Sequence, residues 1–425
     1  MSDSARAVAA EVVRRVADGD AFSNLLLPSL LERAGLSARD RALATELAYG
    51  TLRRLIPIDR ALAGLVRRPL ERASPPARAA LRLGAYQLLF TRIPAHAAVS
   101  ETVSLVPRGQ RAFVNAVLRK LSSKRPEPSR GDDDEAVAAR TGLAPWGVGE
   151  LRGLLGDEAE EAAAALAAPA DLPLRANPCR ADPERLVAAL REAGSDPRPG
   201  ALHPGSLRVQ GGRPAELPGF AEGWFAVQDE ASAWVVDVLG PEPGELILDA
   251  CAAPGGKAAD IACRAGAVVA ADVSPRRLGL ARRAAARLGV TARLVVQDGA
   301  RPALREGFDR VLVDAPCTGI GAARRRPELL WRPRRGDLSR LARLQVRIAA
   351  GAAALLRPGG VMVYSVCTFP RAETDAVCDA LVTSAPFLQP DPFPGPDGEV
   401  SARARVWPHR QGTDAMFVAR FRRGE

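Results

Sequence analysis

The chain has 425 residues, 47% hydrophobic and 25% charged, with 59 Lys+Arg against 49 Asp+Glu for a net charge of +10. Those are globular values at a length that accommodates roughly three domains of ~150 residues, so bulk disorder, collagen and a coiled-coil rod are excluded. No apolar run approaches the ~18–20 residues of a membrane span, and the longest, Ala349–Leu356, lies close to Arg347 and Arg357. Met1–Val13 lacks a cationic segment followed by an apolar one, so a cytoplasmic protein with no secretory signal and no membrane partner is expected. The positive excess suggests a polyanionic partner, most simply nucleic acid.

Residues 1–125 read as helical almost throughout. Apolar residues recur at helical spacing in Ala7–Val16, Leu25–Leu31, Ala42–Leu55, Ala79–Phe90 and Phe113–Leu121, broken at Gly19, Gly35, Ser74-Pro75-Pro76 and Pro94. An all-α bundle follows. Residues 1–130 hold 22 Lys+Arg against 11 Asp+Glu, while the remaining 295 hold 37 against 38. The basic excess is therefore expected in an amino-terminal domain over 1–130. A polar, proline-containing linker over Ser122–Asp134 comes next.

Residues 131–240 read as that linker followed by a small α+β domain. Helical patterns cover Leu143–Leu155, Glu158–Ala168 and Pro183–Ala193, and strands Leu172–Asn177 and Leu207–Gln210. From Glu245 the pattern alternates. Strand-like runs end at Asp249, Asp272, Asp298, Asp314 and Cys367, separated by helices such as Pro275–Leu288 and Leu338–Leu356. Alternation of this kind predicts an α/β domain over 241–425 with a parallel, doubly wound sheet, whose ligands sit at the carboxyl ends of the strands.

Six cysteines occur, with no CxxC spacing and only three histidines. No metal site is expected, and the thiols are expected to be reduced. The turn after the first strand of the α/β domain runs Cys251-Ala252-Ala253-Pro254-Gly255-Gly256-Lys257. Small residues and paired glycines there let a ligand approach the backbone, and the helix that follows adds a positive dipole. Lys257 is the only lysine after residue 124 of an arginine-rich chain, which suggests that this position requires a compact ammonium. An acid about twenty residues on, Asp272, suits a ribose diol. Asp298 at the next strand end is placed for an adenine amino group, and together these favour an adenosine-containing ligand. Two further strands end near cysteines, in Asp314-Ala315-Pro316-Cys317 and Tyr364-Ser365-Val366-Cys367. A thiolate is stabilised at such strand mouths.

DACAAPGGK, DAPCTGIGAARRRPELLW and YSVCT together resemble the RNA 5-methylcytosine methyltransferases of the Nop/Sun family. The likeness extends over nearly the whole chain, through TGLAPWGVGELRGLLG, LPLRANP and VQDEASAWVVDVL to RVWPHRQGTDAMFVARF. The amino-terminal helices resemble a NusB-like RNA-binding domain, which points to the bacterial RsmB/Sun type. The resemblance implies a Rossmann-like carboxy-terminal methyltransferase domain that uses S-adenosyl-L-methionine, and an RNA-binding role for the small middle domain. Cys251 through Lys257 would line the cofactor, Asp272 would hold its ribose and Asp298 its adenine. Asp314 would sit beside the methyl-transfer site.

It further implies transfer of a methyl group to C5 of a cytosine in 16S ribosomal RNA through a covalent Cys–C6 adduct; nothing in the sequence requires more than a monomer. DNA cytosine methyltransferases use the cysteine of a Pro-Cys pair, here Cys317. The family resemblance assigns attack to Cys367 instead, release of the adduct to Cys317, and stabilisation of the attacked ring to Asp314. Arg324, Arg325, Arg326, Arg332, Arg334 and Arg335 are expected to meet RNA phosphates. Departures from the family pattern are Ala258 after the GGK, Gln297 before Asp298, and Phe369–Asp375 in place of a Pro-Glu-Glu-Asn start. The rivals are a transfer-RNA substrate and a non-catalytic RNA-binding or assembly factor. A nicotinamide dehydrogenase is disfavoured by the missing GxGxxG.

Overall fold

Serines start three helices of the amino-terminal half: Ser4, Ser37 and Ser74 each accept the backbone N–H three residues on. Each satisfies a donor that has no partner within the first turn. The computed structural model describes residues 4–127 and 129–425. Met1–Asp3, the head of the segment read for a secretory signal, and Pro128, within the expected linker, lie outside the described residues.

The first helices are α1 (Ala5–Ala17), α2 (Ser23–Arg33), α3 (Ala38–Arg53), α4 (Leu55–Ala63), α5 (Pro75–Phe90), α6 (Ala95–Ser104) and α7 (Arg108–Ser123). The apolar pattern read as continuous over Ala42–Leu55 is divided at Arg54. Pro57 stands in the first turn of α4, where its missing N–H costs nothing, whereas a continuous helix would set its ring against the Arg53 carbonyl. Helix α5 is buried from Ala79 to Leu88 and forms the centre of the bundle.

Three more helices, α8 (Asp134–Thr141), α9 (Pro145–Leu155) and α10 (Ala159–Leu166), belong to the same compact unit, which comprises Met1–Pro169 together with Ala323–Pro333. The expected boundary near residue 130 is therefore not where the units divide. Arg54 of α4 donates to the Arg140 carbonyl of α8 at 2.9 Å, which ties the later helices to the earlier ones. Ala323–Pro333 is stitched in as firmly. The Glu328 carboxylate accepts from the Ser23 N–H and hydroxyl at 3.2 and 2.6 Å, Trp331 Nε1 donates to the Leu52 carbonyl at 2.9 Å, and the Leu330 carbonyl accepts from the Ala144 N–H at 2.8 Å.

The second unit is Ala170–Ala322 with Arg334–Glu425. It begins with β1 (Leu172–Ala176), α11 (Pro183–Glu192), β2 (Arg198–Pro199), β3 (Ser206–Val209) and β4 (Phe225–Val227). These make the expected small α+β layer as an antiparallel sheet of order β2-β3-β1-β4, starting near residue 170 rather than 131. Then come α12 (Glu230–Leu239), β5 (Ile247–Asp249), α13 (Gly256–Ala265), β6 (Val268–Asp272), α14 (Pro275–Leu288), β7 (Ala292–Val296), β8 (Phe308–Asp314), α15 (Arg335–Ala353), β9 (Leu356–Val366), α16 (Asp375–Ser384) and β10 (Leu388–Pro390). The chain closes with β11 (Phe393–Pro394), β12 (Val400–Ser401), β13 (Arg403–Val406), α17 (Pro408–Gln411) and β14 (Met416–Arg423).

The large sheet has the order β10-β14-β9-β8-β5-β6-β7, with β13 on β14. From β9 to β7 it is parallel, as expected. Strand β14 enters antiparallel beside β9, because the short connection through α17 turns it back on β13. Helices cover both faces, so β6 is buried from end to end. The chain runs outward from β5 through β6 to β7, then returns to β8 on the other side of β5. That reversal opens a crevice at the carboxyl ends of β5 and β8. No helix among the described residues is long and apolar enough to cross a membrane.

Candidate active site

Strand β5 delivers Asp249 to the crevice, fully buried, with one carboxylate oxygen that no hydrogen bond reaches. Burial, reinforced by Asp314, pushes this carboxyl up to about 7. The turn that follows carries Cys251 to Gly255, and Gly256 and Lys257 open α13. Gly255 adopts φ +107° as the cap of α13, and a Cβ there would lie 2.7 Å from the Ala281 backbone, so only glycine fits. Cys251 is raised above the usual thiol range by burial. It sits in apolar surroundings beside carboxylates, which suits packing and not nucleophilic attack.

Asp272 ends β6 and organises the turn. Its carboxylate accepts from the Ala253 N–H at 3.3 Å and the Ser274 N–H at 2.9 Å, and pairs with Arg277 at 3.3 Å. Arg277 in turn donates to the Ala253 carbonyl at 2.6 Å. Asp298 does not end a strand: β7 stops at Val296, and Asp298 caps the exposed turn after it by accepting the Ala300 N–H at 2.9 Å. Beneath the turn, buried Arg175 of β1 donates to Gln228 at 2.8 Å and pairs with Asp260 of α13 at 3.2 Å. The small sheet thereby holds the helix that follows the turn. A disulfide between Cys179 and Cys263 joins the same two regions, which corrects the expectation of reduced thiols for that pair.

On the other side of β5 the crevice is polar. Lys257 Nζ donates to Asp314 at 2.7 Å, and the Ser365 hydroxyl donates to the other Asp314 oxygen at 2.9 Å. Burial works against the Lys257 ammonium, but Asp314 outweighs it and the group is held charged more firmly than a free lysine. Strands β8 and β9 lie in register, Asp314 against Ser365, and this brings two distant cysteines together. Cys317 Sγ and Cys367 Sγ are 3.6 Å apart. The hydrogen bond to Cys367 and burial together hold the Cys317 thiol well above its ordinary range.

Sequence reasoning missed Glu373, which is fully buried behind the cysteines. Its carboxylate accepts from the Thr318 N–H at 2.9 Å, the Thr318 hydroxyl at 2.5 Å and Gln345 Nε2 at 2.9 Å. Burial raises its pKa despite these donors. The signal was an acid six residues beyond Cys367, in a stretch notable only for its departure from the family pattern. Ser365 was likewise not singled out, and Asp249 was read only as a strand end. The arginine cluster proves to be divided. Arg332 donates to the Val16 and Ala21 carbonyls at 2.7 and 2.8 Å and stacks with Arg326 on Phe22, so Arg332 is committed within the helical unit. Arg334 and Arg335 are exposed.

A family model described as 16S rRNA methyltransferase RsmB/F matches residues 236–422, and one for the NusB family matches residues 3–123. A putative methyltransferase of Mycobacterium tuberculosis is 38% identical, over 99% of this chain and 97% of its own. The probable ribosomal RNA small subunit methyltransferase B of Bacillus subtilis is 34% identical over 99% of both chains. The crystal structure of PH0851 matches with a TM-score of 0.85 at 25% identity, covering 98% of each chain.

Proposed function

The chain belongs to the RsmB/F family of S-adenosylmethionine-dependent RNA methyltransferases, and we propose that it methylates C5 of a cytosine in 16S ribosomal RNA through a covalent adduct of Cys367. The observation that carries this proposal is the 3.6 Å approach of Cys317 and Cys367 beside the Lys257–Asp314 pair. Three features support a place for the cofactor: the crowded Gly255, the Asp272 carboxylate at a strand end, and the buried Asp249 oxygen that no hydrogen bond reaches. Cys251 to Lys257 and Asp314 would line it, Asp272 would take the ribose hydroxyls, and Asp298, on its exposed turn, would reach the adenine. Bound S-adenosylmethionine supplies the methyl group as a sulfonium.

C5 of cytosine is a poor nucleophile, so a covalent step is needed. Cys317 is held as a thiol 3.6 Å from the Cys367 sulfur, and the Lys257 ammonium acts electrostatically on that sulfur. Attack takes Cys367 as its thiolate. Its sulfur adds to C6, and the electron pair of the C5–C6 double bond makes C5 enamine-like and able to take the methyl. Asp314, fixed by Lys257 and Ser365, stabilises or protonates the attacked ring at N3. Water takes the C5 proton, the C–H electron pair restores the C5–C6 double bond, and the C6–S bond breaks with its pair on the Cys367 sulfur; the Cys317 thiol assists release by hydrogen-bonding that departing thiolate. The base must leave its stack for attack on its face, which suits loop or single-stranded RNA.

In this scheme the NusB-like helices bind RNA, the small sheet supports the cofactor helix, and Arg334 and Arg335 meet phosphates. Mapping 5-methylcytosine in ribosomal and transfer RNA from a deletion strain tests the substrate. Loss of a 16S mark is expected; loss of a transfer-RNA mark alone would overturn the assignment.

A further inference from the structure

We infer that Glu373 is a positioning residue for the thiol pair: its buried carboxylate ties the loop bearing Cys317 to the loop bearing Cys367 and so fixes their approach. This role rests on the proposed use of both cysteines but makes its own prediction about their geometry.

Each cysteine is followed by a threonine, and the two hydroxyls are 2.8 Å apart. Thr318 has one hydroxyl proton and gives it to Glu373 at 2.5 Å, so Thr368 must be the donor toward Thr318. A relay therefore runs from Thr368 through Thr318 to Glu373. On its other side Cys317 is preceded by Pro316, whose carbonyl accepts from Gln345 Nε2 at 2.9 Å, and the same amide nitrogen donates to Glu373 at 2.9 Å. The peptide on either side of Cys317 is thus referred to one carboxylate. Glu373 is itself fixed, since the Tyr364 hydroxyl of β9 donates to its carbonyl at 2.8 Å.

None of these bonds reaches a sulfur, so Glu373 acts through the backbone that carries the thiols. A buried carboxylate is costly unless donors surround it, and this one receives them from the Cys317 loop and α15, with Thr368 joined to it through Thr318. Without it, the Thr318 N–H, the Thr318 hydroxyl and the Gln345 amide lose their acceptor, and the Cys317 loop is free to shift. Glutamine at the same position keeps one carbonyl acceptor and the shape.

The test uses the full-length protein and diamide, which takes two electrons and two protons from a thiol pair to leave a disulfide. The rate of Cys317–Cys367 crosslinking is followed by peptide mass spectrometry, beside single-turnover methyl transfer to RNA and equilibrium binding of S-adenosylmethionine. Misplacement by about 1 Å costs on the order of 10²-fold in rate, so Glu373→Ala is expected to slow crosslinking and methyl transfer together by about tenfold or more. Cofactor affinity is expected to hold, and Glu373→Gln to recover most of both rates. Thr318→Val, which removes only the relay hydroxyl, gives a smaller loss of the same kind and carries the test if Glu373→Ala does not fold. Crosslinking unchanged in Glu373→Ala, or in Thr318→Val where that variant alone folds, overturns the inference. Crosslinking that falls in a protein whose wild type methylates no cytosine supports the positioning role and removes the methyl-transfer reading instead.

Discussion

The helical unit and the α/β unit place different chemistry in their interiors. Among the described residues the helical unit buries one carboxylate, Glu328, supplied by the returning segment 323–333, whereas the α/β unit buries Glu230, Asp249, Asp260, Asp272, Glu373 and Asp414. A buried charge is destabilising unless donors answer it. Glu230 is met by the His203 N–H and Arg208, Asp260 by Arg175 and Arg264, Asp272 by two N–H groups and Arg277, and Glu373 by Thr318 and Gln345. One unit is held by packing of Leu, Ala and Val, the other by packing plus a polar framework that aims side chains into a crevice. The charge contrast is milder than the first 130 residues imply. The acidic helices α8–α10 join the helical unit, which then carries 28 Lys+Arg against 21 Asp+Glu, and the α/β unit 31 against 28.

Four measurements bear on this contrast. The largest effect is expected where the polar framework meets chemistry. Cys367→Ala should lose methyl transfer and form no covalent RNA adduct, while Cys317→Ala should accumulate an adduct that survives denaturing electrophoresis. The opposite pattern would exchange the two roles.

Next is Asp249. Its folded carboxyl holds its proton to about pH 7, against an ordinary 3.8. Its stabilising contribution is therefore complete below pH ~4 and is lost as pH rises to ~7, an amount on the order of 4 kcal/mol. Urea titrations across that range should show the loss in wild type and a flatter profile in Asp249→Asn; equal profiles would remove Asp249 from the account.

The lone buried acid of the helical unit offers the counter-test. Glu328→Ala should cost about 1–3 kcal/mol by stranding the Ser23 donors, and adding Ser23→Ala should cost little more, as a double-mutant cycle would report. Full additivity would mean that the pair is not coupled. The smallest effect concerns exposed charge. Replacing Arg119, Lys120 and Lys124 of α7 and its end by alanine should lower the salt dependence of RNA binding by roughly 0.7–0.9 for each phosphate that is no longer neutralised, with cofactor affinity unchanged. An unaltered slope would place the RNA elsewhere.

Much of the site was legible because apolar strand runs that stop at an acid carry a period and an end: Asp249, Asp272 and Asp314 all fall where those runs predict. Asp298 was misplaced by two residues because β7 is only partly buried, so its apolar pattern has no sharp edge. The meeting of Cys317 and Cys367 depends on the β8–β9 register, which no local pattern encodes. Glu373 was invisible because an acid near a helix start ordinarily faces water or caps that helix. Cys179 and Cys263 are 84 residues apart and become partners only once the small sheet lies against α13. Residues 324–332 were read through their arginines. Leu329, Leu330 and Trp331 were the stronger signal, since apolar residues amid charge mark a segment that is covered on one side.

The stitching of Glu328, Leu330, Trp331 and Arg332 into the helical unit also sets a timetable for the nascent chain. Helices α1 to α10 have all been synthesised by residue 169, but the side chains that finish their interior arrive only with Ala323–Pro333. At ~5–20 residues per second of synthesis that interval lasts roughly ten to thirty seconds. For that period the amino-terminal helices must keep the Ser23 and Leu52 ends of their bundle open, awaiting a closing piece made after half the strands of the large sheet.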